Sequence, residues 1–126
     1  DAVDRGASFM GSADNHYLER GIACKLAGDF DGAIEALKEA LGADPDSANA
    51  HHQLGLVYGF TGEFDASLNE LSASVKLQPD DVNMLNALAL THAMLGMYDE
   101  AKAGFQAVLA IEPTNAVAKK NIVFFD

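Results

Sequence analysis

Histidine, cysteine and carboxylate side chains are the groups in this sequence that could bind a metal or act as catalytic acids and bases. The histidines are His16, His51, His52 and His92, and Cys24 is the single cysteine. His51 and His52 are adjacent, so on a helix they would point in different directions, and the other two histidines lie far away in the sequence. Because a metal site needs ligands that converge at short spacing, we expect no metal and no cofactor.

The acidic residues limit the kinds of partner that the chain can bind. Nineteen acidic residues against eight basic ones give a formal net charge of −11. Nucleic acids and anionic lipid surfaces need a basic face, so we expect neither as a partner. The acidic excess favours either attraction to a basic partner or a simpler role in solubility and helix capping.

The sequence pattern contains none of the common catalytic arrangements. No nucleophile is paired with a base, no glycine-rich phosphate loop follows a strand, and the carboxylates fall at expected helix starts rather than in pairs. We therefore predict that this chain is not an enzyme. Its single thiol slightly favours the cytoplasm. Since the sequence begins with Asp1, the periplasm is the alternative if an upstream signal was removed.

Three prolines reveal the repeat that must position these residues. Pro45, Pro79 and Pro113 are spaced by 34 residues. A glycine lies 17 residues before each proline, at Gly28, Gly62 and Gly96. An aromatic residue follows two residues after each glycine, at Phe30, Phe64 and Tyr98. A fixed spacing of this length indicates a stack of equal structural units, here 14–47, 48–81 and 82–115, followed by 116–126.

Each block is predicted to form a pair of helices. Glycine adopts a positive φ without steric cost and can end the first helix, while proline disfavours helical geometry in the residue before it and ends the second. Apolar residues between these stops recur with helical spacing, and no segment alternates with the period of a strand. We predict helices at 15–27, 31–42, 48–61, 65–76, 82–95 and 99–110, and a seventh from Ala116. No apolar run is long enough to span a bilayer.

The repeated residues resemble the signature of the tetratricopeptide repeat family over about residues 14–115. That signature pairs an aromatic-x-x-Leu-Gly-x-x-aromatic first helix with Gly-x-aromatic-x-x-Ala, a later Ala and a proline. The second block reads His51-x-x-Leu54-Gly55-x-x-Tyr58, followed by Gly62, Phe64, Ser67, Leu71, Ser74 and Pro79. The other two blocks follow the same pattern in register, with Cys24 and His92 at the position of Tyr58.

The resemblance implies an all-α, right-handed α–α superhelix of three tetratricopeptide repeats with a C-terminal capping helix at 116–126. The first helix of each pair would line a concave groove that usually receives a peptide or a helix of a partner protein. Carried onto this sequence, the groove positions are Asn15, Leu18, Ile22, Lys25, Asn49, His52, Gln53, Leu56, Phe60, Asn83, Asn86, Leu90, Met94, Lys120 and Phe124.

The character of the expected groove is mainly apolar. Chaperone-binding members of the family grip a C-terminal carboxylate with Lys, Arg and Asn, but this sequence has Ile22, Leu56 and Leu90 where Asn is common. We expect an apolar floor of those residues with Phe60, Met94 and Phe124, which suits an amphipathic helix or an extended hydrophobic peptide. Asparagines of the groove could hold the partner's backbone. The alternative is that these side chains are core, or are covered by the chain's own N-terminal segment.

We therefore predict a scaffold or adaptor that binds a protein partner through the groove. The alternatives are a structural module that self-associates, giving a homo-oligomer, and a regulatory interaction domain of a larger protein. Residues 1–13 are expected to be a flexible terminus, or else an arm that docks through Phe9 and Met10 on a neighbouring repeat or another copy.

Overall fold

The structure is a computed structural model that describes residues 16–125. The predicted segment 1–13 and the groove residue Asn15 lie outside the described residues. Within them, seven α-helices follow one another: α1 (16–26), α2 (Phe30–Ala43), α3 (Ala48–Phe60), α4 (Phe64–Leu77), α5 (Val82–Met94), α6 (Tyr98–Ile111) and α7 (Ala116–Ile122). A 3₁₀ turn, Val123–Phe125, ends the described chain. The predicted all-α superhelix of paired helices, with a capping helix, is confirmed.

The turn inside each pair is built in the same way in all three repeats. Gly28, Gly62 and Gly96 have φ values of 81°, 80° and 76°. The residue after each glycine donates its backbone N–H five residues back, to the carbonyl oxygens of Cys24, Tyr58 and His92. These are Schellman turns, in which glycine is favoured because its φ is positive. The predicted stops are therefore confirmed.

The second helix of each pair begins one residue earlier than predicted and ends one residue later. It begins at the recurring aromatic residue of the repeat, Phe30, Phe64 or Tyr98, because the residue before it already serves as the N-cap. Only Asp29 accepts a backbone hydrogen bond there, from Gly32 N. Glu63 instead accepts from the Thr61 hydroxyl. Side-chain capping therefore accounts for less of the acidity at these helix starts than the sequence suggested.

The proline turns lead into α3, α5 and α7, which are capped by side chains. Ser47 accepts from Ala50 N, and Asp81 accepts from Asn83 N and Met84 N. Asn115 caps α7 by accepting from Ala118 N. Such bonds satisfy backbone donors that have no partner inside the helix. These caps therefore define where α3, α5 and α7 begin.

Small residues let the paired helices approach closely. Gly21 and Gly55 face Leu37 and Leu71, and a Cβ added at either glycine would lie 2.6 Å from the leucine Cγ. The third repeat has Ala89 in place of that glycine. There the facing helix supplies Gly104 instead, whose added Cβ would lie 2.9 Å from the Ala89 Cβ. In the third repeat the glycine therefore lies on the second helix of the pair instead of the first, and the two helices are still in close contact.

Two clusters of buried side chains form the core of the described part. One joins the first two repeats through Ala33, Leu37, Leu54 and Val57. The other joins the third repeat to α7 through Leu85, Ala89, Ala101, Phe105, Val108 and Ala118. Each helix therefore packs mainly on its neighbours in sequence, as expected for a stack of repeats. Among the odd-numbered helices, α3 also contacts α5 directly.

Candidate functional site

Large apolar side chains are exposed on α3, α5 and the 3₁₀ turn that follows α7. Phe60 is 63% exposed, Met94 63%, Leu90 39% and Phe124 75%. All four were predicted as groove residues from their position in the repeat. Soluble proteins rarely expose a continuous apolar patch of this kind without a binding role.

Two clefts lie along these helices and share one wall. The first cleft, of about 280 Å³, lies between α3, α4 and α5. The second, of about 630 Å³, lies between α5, α6, α7 and the 3₁₀ turn. Leu90 and Met94 of α5 line both clefts. We call the two clefts together the groove.

The first cleft is apolar because its polar groups are already bonded within the protein. Leu56 and Phe60 of α3 form one side, and Leu90 and Met94 form the other. The Ser67 hydroxyl donates to Gly55 O at 2.7 Å, and the Thr91 hydroxyl donates to Ala87 O at 3.0 Å. Both donors are thus engaged, and the cleft offers an occupant mainly apolar contact.

The second cleft has an aromatic wall and a polar rim. Phe125 packs between Tyr98 and Phe105, with ring centroids 5.9 and 6.0 Å apart. Its neighbour Phe124 points outward and lines the cleft. The polar lining residues are Asp99, Lys102 and Asn121, and the Asn121 amide donates to Val117 O.

The aromatic residue that begins each even helix borders the groove, which the sequence did not predict. Phe30 stacks on Phe60 at 5.7 Å between ring centroids. Phe64 lines the first cleft together with Met94, and Tyr98 lines the second. The Schellman turn explains this placement, since it brings the start of each even helix back beside the end of the preceding odd helix. The 34-residue spacing of these aromatics was the available signal.

The positively charged end of the predicted groove is engaged within the protein. Lys25 Nζ donates to the Gln53 side-chain oxygen, which links α1 to α3. Burial lowers the pKa of Lys25. Burial also lowers the pKa of His52, an effect that the Asp81 carboxylate opposes and the Lys25 charge reinforces. Burial thus favours the neutral form of both side chains, which makes this region less suited to an anionic group.

The predicted asparagine contacts divide into exposed and buried residues. Asn49 and Asn83 are exposed, although neither lines the two clefts. Asn86 is only 6% exposed, so the expectation that it holds a partner's backbone is wrong. Its amide nitrogen donates to Asn115 Oδ1 at 3.1 Å, and its buried oxygen has no hydrogen-bond partner among the described residues. Asn86 joins α5 to the cap of α7.

The remaining predicted groove residues lie at the margins of the groove. Leu18 is half-buried against the core of the first two repeats. Ile22 is half-buried and lines neither cleft. Lys120 is exposed on α7, next to the cleft residue Asn121. Leu56, Phe60, Leu90, Met94 and Phe124 are thus the predicted residues that the structure brings together around the two clefts.

The histidines do not come together in one site. His51 bridges the Glu70 carboxylate and Pro45 O, each at 2.8 Å, and so links α4 to the turn before α3. Over residues 16–125, no three His, Cys, Asp or Glu side chains are arranged to hold a metal ion. No helix in that range combines the length and apolar character needed to cross a membrane.

Comparison with known proteins identifies the repeat. Family models for the tetratricopeptide repeat match residues 26–91, 2–48 and 82–115. No curated protein sequence matches the chain significantly.

Solved structures share the fold. The first TPR of Spaghetti (RPAP3), bound to the HSP90 peptide SRMEEVD, has a TM-score of 0.87 and 20% identity, over 90% of each chain. The second TPR domain of human RPAP3, in complex with the HSP70 peptide SGPTIEEVD, has a TM-score of 0.83 and 19% identity, over 94% of this chain and 96% of that one. MamA has a TM-score of 0.84 and 26% identity, over 91% of this chain and 63% of that one.

Proposed function

Because the chain belongs to the tetratricopeptide repeat family, we propose that it is a protein-interaction module, without catalytic activity, that binds a partner peptide or helix in the groove. The observation that carries this proposal is the row of exposed apolar side chains bordering two adjoining clefts. The main contact residues are Leu56, Phe60, Leu90, Met94 and Phe124.

The size of the apolar surface is adequate for a specific complex. Fully burying one large apolar side chain contributes about 1.5–3 kcal/mol. A micromolar complex requires about 8 kcal/mol net of the entropy lost on association. Several of the five contact residues must therefore be covered together, which favours a partner segment that spans both clefts.

We expect a partner unlike the peptides bound by the similar structures. SRMEEVD and SGPTIEEVD both end in Glu-Glu-Val-Asp, whereas this chain carries a net charge of −11. Lys25 donates to Gln53, and burial lowers the pKa of His52 and so favours its neutral form. We therefore expect an acidic C-terminal peptide of this type to bind poorly.

The test replaces two leucines that border the first cleft. We expect the double variant Leu56→Glu/Leu90→Glu to lose partner capture, because two carboxylates would have to be desolvated when a partner covers them. Capture is measured by pull-down with mass spectrometry, and circular dichroism checks folding. The matched control is Leu26→Glu/Leu77→Glu, two exposed leucines outside the clefts. Capture that is unchanged in the folded groove variant would contradict the proposal.

Self-association is the second candidate function. Val117 and Val123 are exposed at the last turn of the repeat stack, and the open ends of such stacks invite end-to-end contact. Light scattering over a concentration series tests this function. If it holds, the molar mass of the native chain rises with concentration, and a Val117→Ser/Val123→Ser variant stays monomeric. The groove would serve equally as a regulatory region within a longer protein.

A further inference from the structure

We infer that the occupant of the groove is an amphipathic helix with basic flanks, rather than an extended or acidic peptide. This inference rests on the proposed function and narrows it to one class of partner. Three features of the groove carry it: its bonded polar groups, the spacing of its clefts and the carboxylates next to its aromatic residues.

The first feature is that both hydroxyl donors lining the first cleft, and the Asn121 amide at the second cleft, are already bonded within the protein. An extended peptide must satisfy its own backbone N–H and C=O groups with side chains of the groove or with water. Ser67 donates to a backbone carbonyl of the facing helix, and Thr91 and Asn121 donate to backbone carbonyls of their own helices. A helix satisfies its backbone internally and needs only apolar contact from the groove.

The second feature is the distance between the clefts. The clefts flank α5 on either side and meet at Leu90 and Met94. Packed helices lie about 8–10 Å apart, so the clefts are separated by roughly that distance. A helix rises 1.5 Å per residue, so about seven residues, or two turns, cover it. Apolar residues at i, i+3 or i+4, and i+7 would then reach both clefts from one helical face.

The third feature is a periodic set of carboxylates, each next in sequence to an aromatic residue that borders the groove. Asp31, Asp65 and Asp99 follow the three aromatics that border the groove, again at 34-residue spacing, and all are exposed. Asp99 itself lines the second cleft. Within residues 16–125, Asp31 and Asp65 take part in no ion pair. Lysine or arginine on the flanks of a bound helix would meet these carboxylates, which favours rapid and specific association.

The experiment uses designed peptides and the intact chain. The first peptide has 18 residues, a leucine and phenylalanine stripe at helical spacing, and lysine on both flanks. The second carries glutamate for lysine, and the third has the residues of the first in a scrambled order without a stripe. The fourth is SRMEEVD. Binding is measured by fluorescence anisotropy of labelled peptides.

We expect the basic amphipathic peptide to bind at least about tenfold more tightly than the other three, a difference of about 1.4 kcal/mol. Its affinity should fall as salt screens the carboxylates. Equal binding of the scrambled peptide would overturn the helical part, because charge alone would then suffice. Equal binding of the glutamate peptide or of SRMEEVD would overturn the basic part.

A variant that fills the first cleft tests whether the peptide binds in the groove. Gly59 lines the first cleft, and a Cβ added there would meet only Ser67 Oγ, at 3.8 Å. Gly59→Leu should therefore fold and fill the cleft, weakening the basic amphipathic peptide about tenfold. Gly42→Leu is the control, because nothing lies within 4 Å of its Cβ position and it lines neither cleft. Unchanged binding by the Gly59 variant would overturn the inference.

The two proposals fail in different ways. If partner capture is lost in Leu56→Glu/Leu90→Glu while the basic amphipathic peptide binds no better than the others, the groove binds a partner of another kind and only the inference is overturned. If the groove substitutions change neither partner capture nor peptide affinity, the proposed function is overturned as well.

Discussion

At the scale of single residues, Asn86 shows how a polar side chain at a groove position can serve the fold instead. Asn115 Oδ1 already accepts from Ala118 N at the start of α7, so it is the amide nitrogen of Asn86 that must face it. This leaves the buried oxygen of Asn86 without a partner. Asn115 thus holds two donors at once, and Asn86 depends on Asn115 for its single hydrogen bond.

The dependence predicts non-additive changes in stability. Asn115→Ala removes a helix cap, which costs about 1 kcal/mol, and leaves Asn86 buried with neither polar atom bonded, which costs about 1–3 kcal/mol more. In an Asn86→Leu background only the cap is lost. We therefore expect Asn115→Ala to lower the free energy of unfolding by about 2–4 kcal/mol in the native chain but by about 1 kcal/mol in that background.

A double-mutant cycle by urea unfolding measures this coupling. The two singles, the double variant and the native chain are compared under one buffer condition. Equal losses for Asn115→Ala in both backgrounds would show that the amide hydrogen bond between Asn86 and Asn115 contributes nothing to stability.

At the scale of the helix pair, the close approach of the two helices limits what the glycine position accepts. A helical glycine normally costs about 0.5–1 kcal/mol relative to alanine, so alanine should stabilise an unconstrained site. At Gly55, the added methyl group would meet Leu71 Cγ at 2.6 Å and Leu71 N at 3.3 Å. Neither atom is the free end of a flexible side chain, so the whole of α4 would have to shift.

We predict that Gly55→Ala lowers the free energy of unfolding by about 1–3 kcal/mol, because overpacking exceeds the gain in helix propensity. Gly42→Ala is the matched control, since that glycine lies in α2 with open space at its Cβ position, and it should raise stability by up to about 1 kcal/mol. Both are measured by thermal and urea unfolding. Stabilisation by Gly55→Ala would mean that α3 and α4 separate freely.

The helix pair is also the scale at which sequence was most informative. Gly28, Gly62 and Gly96 and the three prolines are local stops, so they predicted the helix bounds to within one or two residues. Side-chain environment depends instead on what the neighbouring helix supplies. In the third repeat, Ala89 replaces the glycine of the first helix and Gly104 of the facing helix allows the close approach. This arrangement and the burial of Asn86 depend on contacts between helices, which a repeat position alone does not specify.

The same distinction applies to the groove. Leu56, Phe60, Leu90, Met94 and Phe124 could be predicted because equal repeat positions share one face of the stack. Tyr98 and Phe64 were missed because they belong to the second helices, which the repeat pattern assigns to the outer layer. The tight glycine turn nevertheless places the first residue of each second helix at the groove.

At the scale of the whole molecule, the described chain has two core clusters rather than one. The cluster of α5, α6 and α7 contains Phe105 and Ala118, with Ile122 and Phe125 packed against it. The cluster of the first two repeats has no buried residue in common with it. In a stack of this kind, stability is approximately a sum of repeat and interface contributions, so damage at one end should remain partly local.

Removing residues 116–126 tests this view, because it deletes α7 and the Phe124 wall of the second cleft together. Ile122 and Phe125 are partly buried, and full burial of such side chains contributes about 1.5–3 kcal/mol each, so the truncated chain should lose up to about 6 kcal/mol at that end. We expect amide hydrogen exchange to accelerate strongly in α5 and α6 and much less in α2 and α3. Binding of the basic amphipathic peptide should weaken through loss of the second cleft, while the first cleft remains. Uniform acceleration across all helices would instead show that the repeats unfold as one cooperative unit, and that the groove cannot be divided into independently stable halves.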